Sequence, residues 1–442
     1  MRSREEAAAG DQGVVSRRWA QVLFWSVISA AFIGPGTVTT CAKAGASFGT
    51  ALIWALVFST FACVVLQEAA TRLTTATGND LGRALRERFT GAAGYAVIAL
   101  VLGAIVAGCA AYQAGNILGA VAGAQLLWEA PNLLWVAAIG LPAALLLAFA
   151  ATETVAKILG GGVILMGLAF VVTAGGMLPP VAELARGALI PSIPAGSSLL
   201  VLGMIGTTVV PYNLFLASGL SRGRKPEEIR FGLVVAIVFG GAISISVVLV
   251  GAGLAGTFSF EALAEMLAAR LGGWARNGFA LGLAVAGVSS ALTAPLAAAL
   301  AARGLFERGQ DSDWSERAWR YRSVWGFVLL VGLGFAVSGV PPVPAIVAAQ
   351  ALNGAILPMI AIFLFIVVND ASRMGARVNG RLANTALYVC VAVSILLGVS
   401  GVLRAAARAI GAPPAEARTI LVVAGVVLAL VSWPMLRAVR RT

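Results

Sequence analysis

AAFIGPGTVTTCAKAGASFG, residues Ala30–Gly49, lies in a stretch apolar enough to cross a membrane, yet Gly34-Pro35-Gly36 interrupts it near its middle. Proline has no amide hydrogen for the helical ladder and clashes with the preceding turn, and each glycine weakens a helix further. The three together predict an unwound segment at mid-depth. In hydrocarbon, freed backbone groups persist only where protein buries them or a wet cavity meets them. The break is therefore expected either to bind something or to be a plain proline kink.

The rest of the chain supports a membrane setting. Of 442 residues 60% are hydrophobic and only 11% charged, against roughly 25% charge in a soluble domain. Apolar runs long enough for a ~30 Å hydrocarbon core recur at 20–45, 48–76, 93–126, 132–151, 155–178, 196–220, 231–256, 277–302, 323–339, 343–368, 384–404 and 419–436. The net charge of +12 follows these spans. Arginines cluster before the first span (Arg2, Arg4, Arg17, Arg18), after the second (Arg72, Arg83, Arg86, Arg88), after the sixth (Arg222, Arg224, Arg230), after the eighth (Arg303, Arg308, Arg317), after the tenth (Arg373, Arg377, Arg381) and at the end (Arg437, Arg440, Arg441). Such alternate connections share one face, and a positive-inside bias makes it the cytoplasmic one, with both termini there. The charge thus needs no nucleic-acid partner. The lipid bilayer is the expected partner, and the bacterial inner membrane the expected location.

Further features narrow the class. The polar N-terminal stretch has no short apolar core with a cleavage site, so no removed signal peptide is expected. Cys41, Cys63, Cys109 and Cys390 all fall within spans and show neither metal-site nor disulfide spacing. There is no histidine. The segment RGLFERGQDSDWSERAWRYR, residues 303–322, reads as a cytoplasmic interfacial loop. No nucleophile–base constellation, metal cluster or phosphate loop is visible, so the chain is not expected to be an enzyme or to hold a cofactor.

A second break decides the fold. LGMIGTTVVPYNLFLASG, Leu202–Gly219, again centres a proline, Pro211, close to Gly206, Thr207, Thr208 and Asn213. Breaks in the first and sixth spans fit a five-span unit repeated once, and an odd number of spans inverts the second copy. Interrupted segments at matching positions of two repeats mark a secondary transporter's substrate site. The predicted architecture is an all-α polytopic LeuT-type 5+5 inverted repeat with about twelve transmembrane helices. Its divisions are a cytoplasmic tail over 1–18, repeats over 19–180 and 181–370, and two further helices with a short tail over 371–442.

Several strings carry a family likeness: GPGTVTTCAKAGASFG after the first break, LQEAATRLTTATGNDLGRAL across the second span, ARGALIPSIP before the sixth, GTTVVPYNLFLASGL within it, and QALNGAILPMIAIFLFIVVNDASRMG at the tenth. In this order the chain resembles the NRAMP family of proton-coupled divalent metal transporters over most of its length. The resemblance implies that fold and alternating access at the two breaks. The family's chemistry is not kept. Its first-helix Asp-Pro-Gly-Asn, whose Asp and Asn ligate the metal, reads Gly34-Pro35-Gly36-Thr37 here. Its Met-Pro-His reads Val210-Pro211-Tyr212, and its third-helix acidic pair aligns with Cys109 and Tyr112. Gln350 and Asn353 remain among the polar positions.

These replacements shape the expected cargo. Desolvating an ion costs several kcal/mol even after relaxation, and without the Asp only carbonyls, Thr37, Thr207, Asn213 and Gln350 would offset that cost. The N-terminus of the second half-helix presents free amides and about half a positive charge, with Gly34 and Gly36 allowing close approach and Thr37, Thr39 and Thr40 adding hydroxyls. Such a terminus suits an anion. The main expectation is a small polar or carboxylated solute bound by Gly34, Pro35, Gly36, Thr37, Thr207, Val210, Pro211, Tyr212, Asn213 and Gln350. One alternative is a divalent cation (Mn, Fe or Mg), as the resemblance implies; another is a non-transporting sensor. Glu68, in the second span, is the candidate for carrying a coupling H+, an ionisable residue at that depth being functional by default. The competing role is an ion pair with Arg72, one helical turn on. Lys43 is expected to snorkel to the outer interface, and Glu153 and Asp370 to be structural. Oligomeric state has no signature.

Overall fold

Every apolar run predicted to span carries helix where the computed structural model describes it; the description covers residues 33–149, 152–308 and 312–440. The N-terminal tail, the first half of span one and the last two residues lie outside it. The helices are α1 (Pro35–Phe48), α2 (Ile53–Thr77), α3 (Leu81–Arg88), α4 (Gly91–Leu127), α5 (Asn132–Ala148), α6 (Thr152–Gly175), α7 (Val181–Leu189), α8 (Ser198–Thr208), α9 (Pro211–Leu220), α10 (Pro226–Ala252), α11 (Phe260–Leu271), α12 (Trp274–Phe306), α13 (Trp319–Val337), α14 (Pro342–Val368), α15 (Arg381–Ala409) and α16 (Ala417–Arg440). Among the described residues nine stretches are long and apolar enough to cross a membrane, with α8 and α9 together forming one of them. The shorter apolar helices α5 and Leu159–Gly175, and α1 as the second half of the first span, complete the predicted set.

Boundaries differ where local chemistry acts. The second span was expected from residue 48, but Gly49 adopts φ 56°, ending α1, and α2 begins only at Ile53. Gly78, at φ 72°, closes α2 in the left-handed conformation that glycine adopts at no steric cost. Within the expected interfacial loop, Trp314 is buried, stacked on Phe306 at 5.7 Å and 9°. Trp319, which opens α13, is exposed.

The two halves run through the same order of elements. A span of 25 residues (α2), a short helix (α3) and a span of 37 (α4) are matched by 27 residues (α10), a short helix (α11) and 33 (α12). Both short helices are capped by a side chain. Asp80 Oδ1 accepts from Arg83 N at 2.9 Å, and Ser259 Oγ from Ala262 N at 3.1 Å, each satisfying one orphan amide of a first turn. The long helices α4 and α12 pack along each other more extensively than any other pair; α14 packs on α8, α4 and α15, and α10 on α1 and α2.

Lipid tails are as apolar as leucine, so close backbone approach through small residues holds such a bundle together. A Cβ at Gly45 would stand 2.0 Å from Val248 O, and one at Gly251 2.3 Å from Ala42 O, so α1 and α10 meet backbone to backbone. On the side where the basic connections gather, polar ties fasten α3. Ser218 Oγ of α9 accepts from Leu81 N at 2.7 Å and lies 2.7 Å from Thr74 Oγ1. Arg373 reaches Glu87 at 2.8 Å, Arg88 reaches Asp370 at 3.3 Å and Arg222 reaches Asp80 at 3.4 Å. Asp370 thus has the structural place expected of it; the side chain of Glu153 lies outside the description.

Candidate functional site

Both breaks are built by the same device, a proline at the first position of a new helix. Pro35 opens α1 behind Gly34, whose backbone is extended, and the first turn closes through Val38 N to Gly34 O at 3.1 Å. Pro211 opens α9 behind Val210, while α8 ends at Thr208 with Val209 N on Ile205 O at 2.8 Å. A proline at that position forfeits no helical hydrogen bond, because the first amides of a helix have no partner to lose. Neither helix start has a side-chain cap. The first turn of α1, with Gly36, therefore begins without a side-chain cap, at the end where a helix leaves its amides without an intrahelical acceptor.

The two breaks touch. Thr37 Oγ1 lies 2.8 Å from Thr207 Oγ1, both buried, joining the start of α1 to the end of α8. Gln350 of α14 lies directly over Gly36, where a Cβ would stand 2.2 Å from its Nε2. Gly34 faces α12 and α4: a Cβ there would stand 3.0 Å from Ser290 Oγ and 4.0 Å from the Tyr112 hydroxyl. Tyr112 in turn meets Tyr212 of α9 edge to face, with centroids 5.4 Å apart at 84°. Five helix segments thus converge: the α1 terminus, α4, the α8–α9 junction, α12 and α14.

Of the residues expected here, Gly34, Gly36, Thr37, Thr207, Tyr212 and Gln350 are brought into this cluster. Pro35 turns the other way, against α4, where a Cβ on Gly119 would meet its ring at 2.1 Å. Val210 and Pro211 form the buried junction itself. Asn213 is buried on the first turn of α9, its backbone N–H donating to Val210 O at 3.0 Å. Tyr112 and Ser290 were not among the expected site residues. The signal for them was polarity inside otherwise apolar spans, Tyr112 with Gln113 and Asn116, and Ser289 with Ser290.

The chemistry of the cluster is neutral and polar. Both side-chain amide atoms of Gln350 and of Asn213, and the hydroxyls of Ser290, Thr39 and Thr40, are buried without a hydrogen-bond partner. Each such group costs about 1–3 kcal/mol, and native interiors hold few of them, so those around the two helix breaks make this the candidate binding site. No cluster of three or more His, Cys, Asp or Glu occurs among the described residues. Glu68 is not the unpaired carboxylate its position had offered: Arg72 Nε contacts it at 3.0 Å. Its side chain is 30% exposed and lines a separate cavity on the basic side of the bundle.

The hydroxyl bridge carries a measurable consequence. In a double-mutant cycle with Thr37→Val and Thr207→Val, the two residues should couple by about 0.6–1.7 kcal/mol, the range for interhelical hydrogen bonds in bilayers. Additive losses in thermal stability would show that the bridge does not hold the breaks together.

A family model described as natural resistance-associated macrophage protein-like matches residues 26–404. The chain belongs to the Nramp family. Among curated relatives, a divalent metal cation transporter, MntH, of Klebsiella pneumoniae (strain 342) is 26% identical over 387 residues, covering 84% of this chain and 91% of that protein. The MntH of Verminephrobacter eiseniae is 28% identical over 375 residues, covering 80% and 82%. Among solved structures, a mutant of the Eremococcus coleocola manganese transporter superposes with TM-score 0.69 at 19% identity, covering 95% of this chain and 94% of that one. A nucleobase-cation-symport-1 family transporter in a closed conformation, with bromovinylhydantoin bound, gives 0.58 at 15% identity, covering 95% and 92%. These likenesses establish the LeuT-type fold of this Nramp chain.

Proposed function

We propose that this Nramp-family chain is a secondary transporter that works by alternating access at the paired breaks, and that its cargo is a small polar or carboxylated solute. The observation that carries this reading is the neutral character of the cluster: two hydroxyls bridge the breaks, Gln350 covers Gly36, and amides and hydroxyls without partners surround them. A solute with its own donors and acceptors satisfies such groups. A desolvated divalent cation would find neither carboxylate nor sulfur at Gly34, Thr37 or Val210, and its dehydration would go largely uncompensated. The α1 amides favour an acceptor oxygen at Gly36 and Thr37.

A second reading, divalent metal cation transport, rests on the comparisons, which favour it over a changed cargo: the relatives matched over most of this chain carry that description. Hydrated Mg2+, which retains several waters, is the cation that neutral groups would serve best. In either reading the inner membrane is the proposed location, with the arginine-rich side and both termini cytoplasmic, and H+ is the proposed coupling ion.

One uptake experiment separates the two. Proteoliposomes under an inward proton gradient are given radioactive Mn2+, with the native protein and with a variant carrying Gly34→Asp, Thr37→Asn and Val210→Met. The changed cargo predicts uptake by the variant alone, followed by counterflow of organic solutes through the native protein. Robust uptake by the native protein would establish metal transport instead. Silence from both, with no counterflow of any solute, would favour a sensor.

A further inference from the structure

Away from the helix breaks, a cavity of about 420 Å³ opens between α2, α10 and the start of α15. Its rim carries Arg72, Arg230 and Arg377, and Glu68 is the one carboxylate among the described residues that line it. Arg72 is already committed. Its Nε holds Glu68 at 3.0 and 3.3 Å, its Nη1 donates to Arg377 O at 2.7 Å, and its Nη2 donates to Asn379 Oδ1. Glu68 therefore offsets Arg72, and the positive excess of the described lining is that of Arg230 and Arg377, both exposed.

Below the rim the cavity is apolar and half-buried, with Val64, Val65, Val234 and Ala386 along its wall. From Arg72 down to Val64 is eight residues of α2, roughly 12 Å of helix. All three contributing segments adjoin connections where arginines gather, on the side a positive-inside bias assigns to the cytoplasm. A basic rim above an apolar wall at the edge of a bilayer is amphipathic in the same sense as a phospholipid. Planar guanidinium groups match phosphate oxygens in pairs, and basic pockets between membrane helices on that side suit anionic headgroups.

We propose that this cavity is a binding site for an anionic phospholipid of the cytoplasmic leaflet, with the phosphate on Arg230 and Arg377 and an acyl chain along Val64, Val65, Val234 and Ala386. The ion pair of Arg72 with Glu68 then fixes the back of the site, and the loop Arg377–Gly380, tied to α2 through Arg72, is held by the bound lipid. The site is independent of the cargo at the breaks.

The test uses the full-length protein, delipidated in detergent and titrated with phosphatidylglycerol or with phosphatidylcholine, bound lipid being counted by native mass spectrometry. Phosphatidylglycerol should bind at least about tenfold more tightly. Arg230→Gln with Arg377→Gln should weaken it about 30-fold, from about fivefold per arginine near an anionic surface. Ala386→Trp keeps both arginines and fills the apolar wall, so it too should lose the lipid, and it guards against a fold defect in the arginine variant. Equal binding of the two lipids, or unchanged phosphatidylglycerol binding in both variants, would overturn the proposal. So would displacement of the lipid by millimolar inorganic phosphate, since that would make this a site for free phosphate with no role for the apolar wall.

Discussion

Gly36→Ala is expected to abolish uptake of the native cargo while leaving the protein folded. The new Cβ would stand 2.2 Å from Gln350 Nε2, 2.7 Å from its Cδ and 3.3 Å from its Cγ. These atoms are the end of a flexible side chain with no hydrogen bond to break, so Gln350 swings aside at little cost in stability. What is lost is the site: Gln350 leaves the α1 terminus, and the methyl group occupies the approach to the Gly36 and Thr37 amides. A misplacement of about 1 Å at a binding constellation can reduce rate on the order of 100-fold, and uptake should fall at least that far. The thermal midpoint should move by no more than a destabilisation of about 1 kcal/mol produces. Near-normal uptake by a folded Gly36→Ala protein would remove the cargo site from the α1 terminus.

Gly206→Ala should do the reverse and damage the fold itself. A Cβ there would stand 2.0 Å from Gln350 O and 2.4 Å from Gly354 N, backbone atoms of α14 that cannot rotate away. From the other side, a Cβ on Gly354 would meet Leu202 O at 2.4 Å. Leu202 and Gly206 on α8 thus face Gln350 and Gly354 on α14, each pair four residues apart. Helices at this distance must move apart to admit one methyl group, and overpacking of this kind costs about 1–3 kcal/mol, occasionally more. Because α8 also carries Thr207, its displacement opens the hydroxyl bridge to Thr37. The expected result is a poor yield of monodisperse protein, a thermal midpoint lowered well beyond that of Gly36→Ala, and loss of uptake as a consequence. A Gly206→Ala protein as stable as the native one would show that this backbone contact does not hold α8 on α14.

The same substitution at two buried glycines of the breaks thus separates a site from a scaffold, and only the identity of the obstructing atom distinguishes them. Sequence alone marks both positions merely as glycines near a proline. The neutral side chains gathered at the breaks are likewise unequal in what they reveal. Thr37 and Thr207 were legible because each adjoins a break. Tyr112 and Ser290 adjoin none, and they reach the site only because α4 and α12 pass Gly34. Glu68 carried two readings in the sequence, proton carrier and partner of Arg72; the ion pair with Arg72 is formed one turn on, and the pair lines another cavity.

What this sequence determined by itself was the solvent and the topology. Hydrocarbon demands long apolar runs with internally satisfied backbone, so spans can be counted from composition; glycines on both sides of a proline weaken a span further, so the breaks at Pro35 and Pro211 are marked too, whereas Pro142, Pro295, Pro358 and Pro434 stay inside continuous helices. Their recurrence in the first and sixth spans gave the inverted repeat. What the tertiary structure decided was which side chains converge on those breaks, which way Pro35 and Gln350 point, and which glycines face backbone. Those facts depend on packing between helices 170 residues apart in the chain, as Thr37 and Thr207 are. No local preference of the chain encodes such distances; they are set by small residues that let particular helices approach, which is a property of pairs of surfaces and not of either segment alone.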